Sequence, residues 1–470
     1  MTQTLRPYQA AALERIRAEL RSGHRRVVLV APTGSGKTTC GAEIVRAANA
    51  KGRRVVWIAH RTVLIEQASE RLDAEGIQHS IAMGSASVQR KGSLTTLGSI
   101  QTLTRRTPQA ADLVIVDECH HVGAEGTYAR LLAHYPTAAI VGLTATLRDG
   151  MADCFDALTV AATPKQLIAE GYLAPYRGWA FMAPDVSGVH TKKGDYVESE
   201  LGQVYAKSTV FADVVEKWLQ HARGMRTICF AAGIENSLAL VARFRSTGIS
   251  AEHLDYRSLP SDRHAIFERV RTGATTVLCN YSLLGEGLDL PMLKCVVIAR
   301  PTQSPILAIQ MMGRGLRPWP LGGQSETCQI HDHAGVVQAH GLPDADREYS
   351  LTPGHVKPLP ALTTCWRCFA IWQRGPEANA CPRCGLEPVR EAGERMGPAQ
   401  VDEHVEVALG EVGHAPSRAE MERFKDELER TAIAKGLKPG WLVHKFLERY
   451  PDAPKPWGAF RRVRQAQARG

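Results

Sequence analysis

Two short segments of this 470-residue chain carry the residue types that handle phosphate. The first is Ala31-Pro32-Thr33-Gly34-Ser35-Gly36-Lys37-Thr38-Thr39, directly after the apolar run Val27–Val30. Gly34 and Gly36 allow a tight backbone turn in which successive N–H groups converge on an anion. Lys37 would reach the β- and γ-phosphates of a nucleotide, and Thr38 would offer its hydroxyl to Mg²⁺. A helix beginning there points its positive end at the same anion. Thr33, Ser35 and Thr39 complete the expected nucleotide-binding set. The match to G-x-x-x-x-G-K-[ST] departs only at its first position, Ala31.

The second segment, Leu113-Val114-Ile-Val-Asp117-Glu118-Cys119-His120, is an apolar run closed by two adjacent carboxylates. Buried carboxylates must be paired or must coordinate a cation. Asp117 would hold Mg²⁺ through its water shell, and Glu118 would polarise an attacking water as general base. Together the two segments predict a nucleoside triphosphatase site.

Such a site needs elements that bring loops to one edge. Apolar runs alternate with helical patterns up to about residue 160, as at Arg54–Ala59, Leu113–Val116 and Ala139–Leu143. The pattern resumes at Thr227–Ala231, Thr276–Cys279 and Lys294–Ala299. Alternation of this kind predicts an α/β chain with parallel sheets covered by helices, and loops at the carboxyl ends of the strands that carry the site. The Gly171/Pro175/Gly178 stretch between Ala162 and Pro184 reads as the hinge between two lobes, and His190–Asp195 as a turn early in the second.

The order of the remaining motifs resembles that of a superfamily 2 helicase or translocase with a DECH box, over residues 6 to about 317. The resemblance implies two tandem RecA-like lobes, at 1–170 and 171–350, and ATP as the nucleotide. Arg6-Pro-Tyr-Gln9 is similar to the short adenine-reading motif, with Gln9 on the base edge. Ala59-His60-Arg61 and Gly98-Ser-Ile-Gln101-Thr102 resemble the nucleic-acid strand contacts of the first lobe. Thr144-Ala-Thr146 resembles the motif that couples hydrolysis to movement. Gly285-Glu-Gly287-Leu-Asp289 resembles the second-lobe motif that touches both nucleotide and strand. Gln310-Met-Met-Gly313-Arg314-Gly-Leu-Arg317 resembles the arginine-finger motif, with Arg314 as the finger, Arg317 beside it and Gln310 in the same catalytic group. A finger delivered from a second lobe makes hydrolysis depend on lobe closure.

Cys365-Trp-Arg-Cys368 and Cys381-Pro-Arg-Cys384 form two C-x-x-C pairs, twelve residues apart, and read as a small zinc ribbon at 360–392. Four protein ligands leave no open position, so the role is structural. Trp366, Arg367, Phe369, Trp372, Arg374 and Arg383 suit either base stacking and phosphate contact or the packing of a very small core. The other seven cysteines neighbour apolar segments and read as buried thiols. His331-Asp332-His333 reads as a strand end in preference to a metal cluster.

Residues 396–434 hold four Lys/Arg against nine Asp/Glu, and residues 435–470 hold nine against two. The tail therefore suggests a helical accessory module at 396–470, either touching nucleic acid through its basic end or ending in a solvated charge run. Net charge is +9, and no run approaches the ~18 apolar residues of a membrane span. The first residues, Met1–Pro7, lack a secretory apolar core. The expectation is a cytoplasmic, DNA-directed ATP-dependent motor using ATP, Mg²⁺ and Zn²⁺, with no membrane partner and DNA favoured over RNA. Two alternatives stay open: an RNA-directed DECH-box enzyme, and an ATPase subunit that serves as a switch in a restriction or defence complex. The short span from Ala231 to Gly285 leaves little room for the helical insertion of double-stranded-RNA sensors, and Gln310-Met311 stands where DEAD-box RNA helicases have His-Arg.

Overall fold

The computed structural model describes residues 4–386 together with Leu428, apart from 85–86, 149, 193, 207–209, 283–289, 320–325, 353–358 and 374–379. Gly287 and Asp289 lie outside the described residues, as does the expected 396–470 module except for Leu428. The chain divides into a compact unit over 1–389 and a second over 390–470.

The first sheet contains β1 (Arg26–Val30), β2 (Val55–Ala59), β3 (Ser80–Ala82), β4 (Thr95–Ser99), β5 (Leu113–Asp117), β6 (Ala139–Thr144) and β7 (Ala157–Val160). Its spatial order is β3-β4-β2-β5-β6-β1-β7, and every pairing is parallel. All five residues of β2 and of β5 are buried, which is why these strands read as unbroken apolar runs instead of alternating ones. Helices Pro7–Arg21, Lys37–Asn49 and Thr62–Ala74 bury Leu13, Val45 and Ile65 in one core cluster, while Ile58, Val116 and Leu131 lie in another.

The second sheet contains β8 (Tyr176–Ala180), β11 (Thr227–Ala231), β12 (Ala251–Asp255), β13 (Val277–Tyr281), β14 (Cys295–Ala299), β15 (Cys328–Asp332), β16 (Leu362–Thr364) and β17 (Ala370–Gln373); β9 (Thr191–Lys192) and β10 (Asp195–Tyr196) make a separate hairpin at the predicted turn. The order is β12-β13-β11-β14-β15-β8-β17-β16. The stretch expected to be a hinge is largely structured. Helix Pro164–Ala169 is capped by Thr163, and β8 already belongs to the second sheet, where Tyr176 pairs with Cys328. Residues 170–175 link the two sheets, and within them the Ala174 amide donates to the Leu316 carbonyl at 2.7 Å.

The cysteine segment, read as a small ribbon at 360–392, is joined to the second sheet. β17 pairs antiparallel with β8, and β16 with β17, so the hairpin extends the second sheet. Arg383 lies over the Trp179 ring at 3.9 Å, and Trp179 stacks on His221 at 4.1 Å. Burial, then the nearby charges of Arg383 and Lys217, push the His221 pKa down to about 4. At neutral pH its Nδ1 is therefore an acceptor for Arg383 Nη1, 3.3 Å away. Trp372 is buried in the same cluster, whereas Trp366 is exposed. Packing thus accounts for Arg383 and Trp372; Trp366 and Arg367 stay exposed, and Arg374 lies outside the described residues. His331 and Asp332 close β15, and His333 follows with its Nδ1 3.1 Å from Asp213. The seven scattered cysteines are free and buried.

Candidate functional site

The carboxyl ends of five neighbouring strands form one line, β4, β2, β5, β6, β1. After them come, in the same order, Gln101, His60–Arg61, Glu118–His121, Thr144–Thr146 and the 31–37 loop. The sheet therefore gathers these first-lobe motif segments along one line of strand ends, while Arg6 to Gln9 open the first helix.

At the β1 end, Gly36 is the left-handed residue before helix Lys37–Asn49, with φ 84°. A side chain there would be strained, and its Cβ would meet Gln9 Nε2 at 2.5 Å. Thr33, Gly34 and Gly36 to Thr39 stay partly accessible, while Ser35 is buried. Tyr8 Oη and Gln9 Nε2 both donate to the Ser35 carbonyl, at 2.6 and 2.9 Å. Gln9 Oε1 also accepts from the Arg6 amide at 2.9 Å. Gln9 thus braces the loop, and one Nε2 hydrogen and one Oε1 lone pair remain for a base edge. Tyr8 was not foreseen in this role, although it adjoins Gln9 in the quoted motif.

Lys37 Nζ lies 3.8 Å from Glu118 Oε1, and both side chains are 11% exposed. Glu118 adopts a left-handed backbone, φ 48°, which is costly for a residue with a Cβ and is held by its surroundings. Its amide donates to Asp117 Oδ1 at 3.0 Å. His120 Nδ1 lies 3.3 Å from Glu118 Oε2 and 3.2 Å from Thr144 Oγ1, and Thr144 Oγ1 donates to the Thr146 carbonyl. The rings of His120 and His121 are 4.2 Å apart, and those of His121 and His60 are 4.0 Å apart. Asp117 and the Thr38 hydroxyl are hard oxygen donors of the kind that Mg²⁺ selects.

The second lobe reaches the same loop. Helix Pro305–Gly313 ends with Gly313 so close to Thr33 that a Cβ there would lie 2.7 Å from Thr33 Cβ. Arg317 Cγ would lie 3.1 Å from a Cβ on Gly34. Arg314 and Gln310 are buried at this junction, and Gln310 Nε2 has no hydrogen-bond partner among the described residues. A smaller cleft is lined by Arg61 from the first lobe and by Asn280, Arg300 and Met311 from the second.

A larger cleft of about 480 Å³ opens beside Gln101. Arg105, Arg106, Arg130 and His134 line it, with Leu103 and Leu131 among its apolar residues and no carboxylate in its wall. These four were missed in the sequence, where they are separated charges without a motif.

The Sγ atoms of Cys365, Cys368, Cys381 and Cys384 all lie within 4.8 Å of one another. Cys365–Cys384 and Cys368–Cys381 approach to 3.6 and 3.5 Å. A zinc tetrahedron with Zn–S of about 2.3 Å has S···S edges near 3.8 Å, so the four sulfurs fit one such ion.

A family model described as "Type III restriction enzyme, res subunit" matches residues 2–149, and "Helicase conserved C-terminal domain" matches 209–318. The chain is 30% identical over 372 residues to a "51.5 kDa protein" of a Lactococcus phage (isolate 7-9), covering 76% of this chain and 77% of that one. It is 26% identical over 362 residues to IRC3 of Saccharomyces cerevisiae, a proposed ATP-dependent helicase, covering 71% of this chain. The chain spans only about half the length of that yeast relative, 52%. Among solved structures, a fragment of a proposed HsdR subunit of a type I restriction enzyme from Vibrio vulnificus YJ016 superposes with TM-score 0.56 at 23% identity, over 72% of this chain and 65% of the other. The Type ISP restriction-modification enzyme LlaBIII bound to DNA superposes with TM-score 0.53 at 14% identity, over 70% and 28%. At these identities the structural likeness speaks for the fold.

The close approach at Gly313 generates a test. Gly313→Val should hold Arg314 and Arg317 away from the loop, lowering kcat for nucleotide hydrolysis on the order of 10²-fold while nucleotide affinity stays near that of the parent. Unchanged kcat would show that the junction does not position the arginines.

Proposed function

This chain belongs to superfamily 2 of the helicases, as an ATP-dependent hydrolase of that family, and from that premise we propose that it is a DNA motor whose two lobes close on ATP and step along a strand. The observation that supports this best is the shared edge. The Gln101 and His60–Arg61 segments, with the basic cleft beside them, lie on the same strand ends as Glu118 and the Lys37 loop. Arginines converging on a concavity without carboxylates suit backbone phosphates.

In this reading Lys37 exchanges Glu118 for the nucleotide phosphates, which leaves the carboxylate to orient water and accept its proton. Thr38 and Asp117 would hold Mg²⁺, which supplies neutralising charge on the phosphates when bound. Arg314 and Arg317 add positive charge from the second lobe, with Gln310 beside them, and Gln9 meets the base edge. Gly287 and Asp289 keep their proposed contacts on the strength of the motif alone. The boundaries 1–170 and 171–350 remain our proposal for the lobes, with 396–470 as an accessory module. DNA is preferred to RNA because the adenine motif is short, the span from Ala231 to Gly285 leaves little room for a large insertion, and LlaBIII, of similar fold, is bound to DNA. The reading carries a cytoplasmic location; no helix among the described residues is long and apolar enough to cross a membrane. The likeness to restriction subunits supports a second reading, in which the ATPase works as a switch within a larger complex.

Steady-state ATPase at fixed salt, with single-stranded, duplex and forked DNA and with duplex RNA, tests the proposal. DNA should stimulate turnover and RNA should not. Glu118→Gln should keep DNA binding and lose on the order of 10²- to 10⁴-fold in turnover. Stimulation by RNA alone would overturn the DNA assignment, and no stimulation at all would favour the switch.

We also assign zinc to the four cysteines. The purified protein should carry about one zinc per chain, and Cys381→Ser should lose it and melt at lower temperature, because the hairpin it anchors pairs with β8. Metal-free protein of unchanged melting temperature would refute the assignment.

A further inference from the structure

His120 meets both Glu118 and Thr144, but nothing in that pair of contacts reaches β2. The residue that does so is His121. Its ring faces His120 on one side at 4.2 Å and His60 on the other at 4.0 Å. His60 precedes Arg61, and its carbonyl accepts from Gln101 Nε2 at 3.1 Å. Gln101 also lines the arginine cleft. A continuous set of contacts therefore runs from the cleft through Gln101, His60 and His121 to the turn Cys119–His121. Within that turn the His121 amide donates to the Glu118 carbonyl at 3.2 Å.

The geometry of this turn is what makes the contacts consequential. Glu118 sits in a left-handed conformation and is the cap residue immediately before it. A displacement of His121 is passed to Glu118 by a hydrogen bond, and to His120 by ring contact. The ring contacts at 4.0 and 4.2 Å are the path by which a shift at His60 reaches His121 and His120. His121 is itself exposed and fills no core volume. Its placement between two other imidazoles is not needed to seal the sheet.

We propose that His60 and His121 are positioning residues, which transmit occupancy of the strand-contact segments to the hydrolytic carboxylate Glu118. The proposal rests on reading Gln101 and His60–Arg61 as nucleic-acid contacts. A strand laid on these segments moves the His60 backbone, His121 follows, and Glu118 is set for the attacking water. Without a strand, bound ATP still takes Lys37 from Glu118, but the carboxylate is not set for the attacking water, and basal hydrolysis is slow.

The test uses the full chain with and without saturating duplex DNA, comparing the parent with His121→Ala and His121→Phe. In each, basal ATPase rate, KM for ATP, DNA affinity and maximal stimulation are measured. His121→Ala should keep the first three within about twofold and lose at least about fivefold of the stimulation, the lower end of ordinary coupling between sites. His121→Phe, which keeps a ring between His60 and His120, should restore most of the stimulation. Parent-like stimulation in His121→Ala would overturn the proposal. So would a loss of stimulation matched by a loss of DNA affinity, since His121 would then be a contact residue. A parent that no nucleic acid stimulates would instead bring down the functional reading first, and this proposal with it.

Discussion

The close pairing of Lys37 with Glu118 is the interaction around which the first lobe is arranged. A cation and a carboxylate 3.8 Å apart, each 11% exposed, lose hydration that their attraction only partly returns. They stay together because separate backbone features deliver them. Lys37 opens a helix behind a left-handed glycine, and Glu118 is forced left-handed at the end of β5. In the proposed mechanism an arriving triphosphate would offer Lys37 a stronger anion and leave Glu118 for water. Hydrolysis in that mechanism depends on where Glu118 and the second-lobe arginines point: Glu118 closes β5, and the arginines follow helix Pro305–Gly313.

The strand order makes that dependence local. Parallel pairing puts the loops after β4, β2, β5, β6 and β1 side by side, so a contact made at Gln101 lies one loop from His60 and two from Glu118. No long-range distortion is needed. The second lobe joins at the other end, where Gly313 presses on Thr33. The cysteine hairpin holds the far side of the second sheet through β17 and through the Arg383–Trp179–His221 stack. Its place is in the architecture of the second lobe, at the sheet edge beyond β8.

Much of this was legible in the residues themselves. Doubly buried strands need unbroken apolar runs, and so Val27–Val30 and Leu113–Val116 announced the sheet. A phosphate loop needs Gly and Lys at fixed spacing, and a four-sulfur site needs paired cysteines. Other features were hidden because they depend on which strand lies beside which. The attachment of β17 to β8 joins segments nearly two hundred residues apart. The ring contact of His60 with His121 follows only once β2 and β5 are neighbours. The arginine cleft unites Arg105 and Arg106 with Arg130 across a strand and two loops, and no spacing rule connects them. The extent of the predicted hinge was hidden for a similar reason: the connection between the sheets is confined to residues 170–175 of the 162–184 stretch. Gly171, Pro175 and Gly178 suggest irregular chain, yet Gly178 lies within β8, paired with both Ile330 and Ile371.

The central claim is that strand binding and nucleotide binding share one edge and therefore share free energy. The most direct measurement is the thermodynamic cycle. Duplex DNA affinity is measured with and without a non-hydrolysable ATP analogue, and analogue affinity with and without DNA. The account predicts that each ligand shifts the other's Kd by the same factor, on the order of 5- to 150-fold. Two affinities that ignore each other would contradict it.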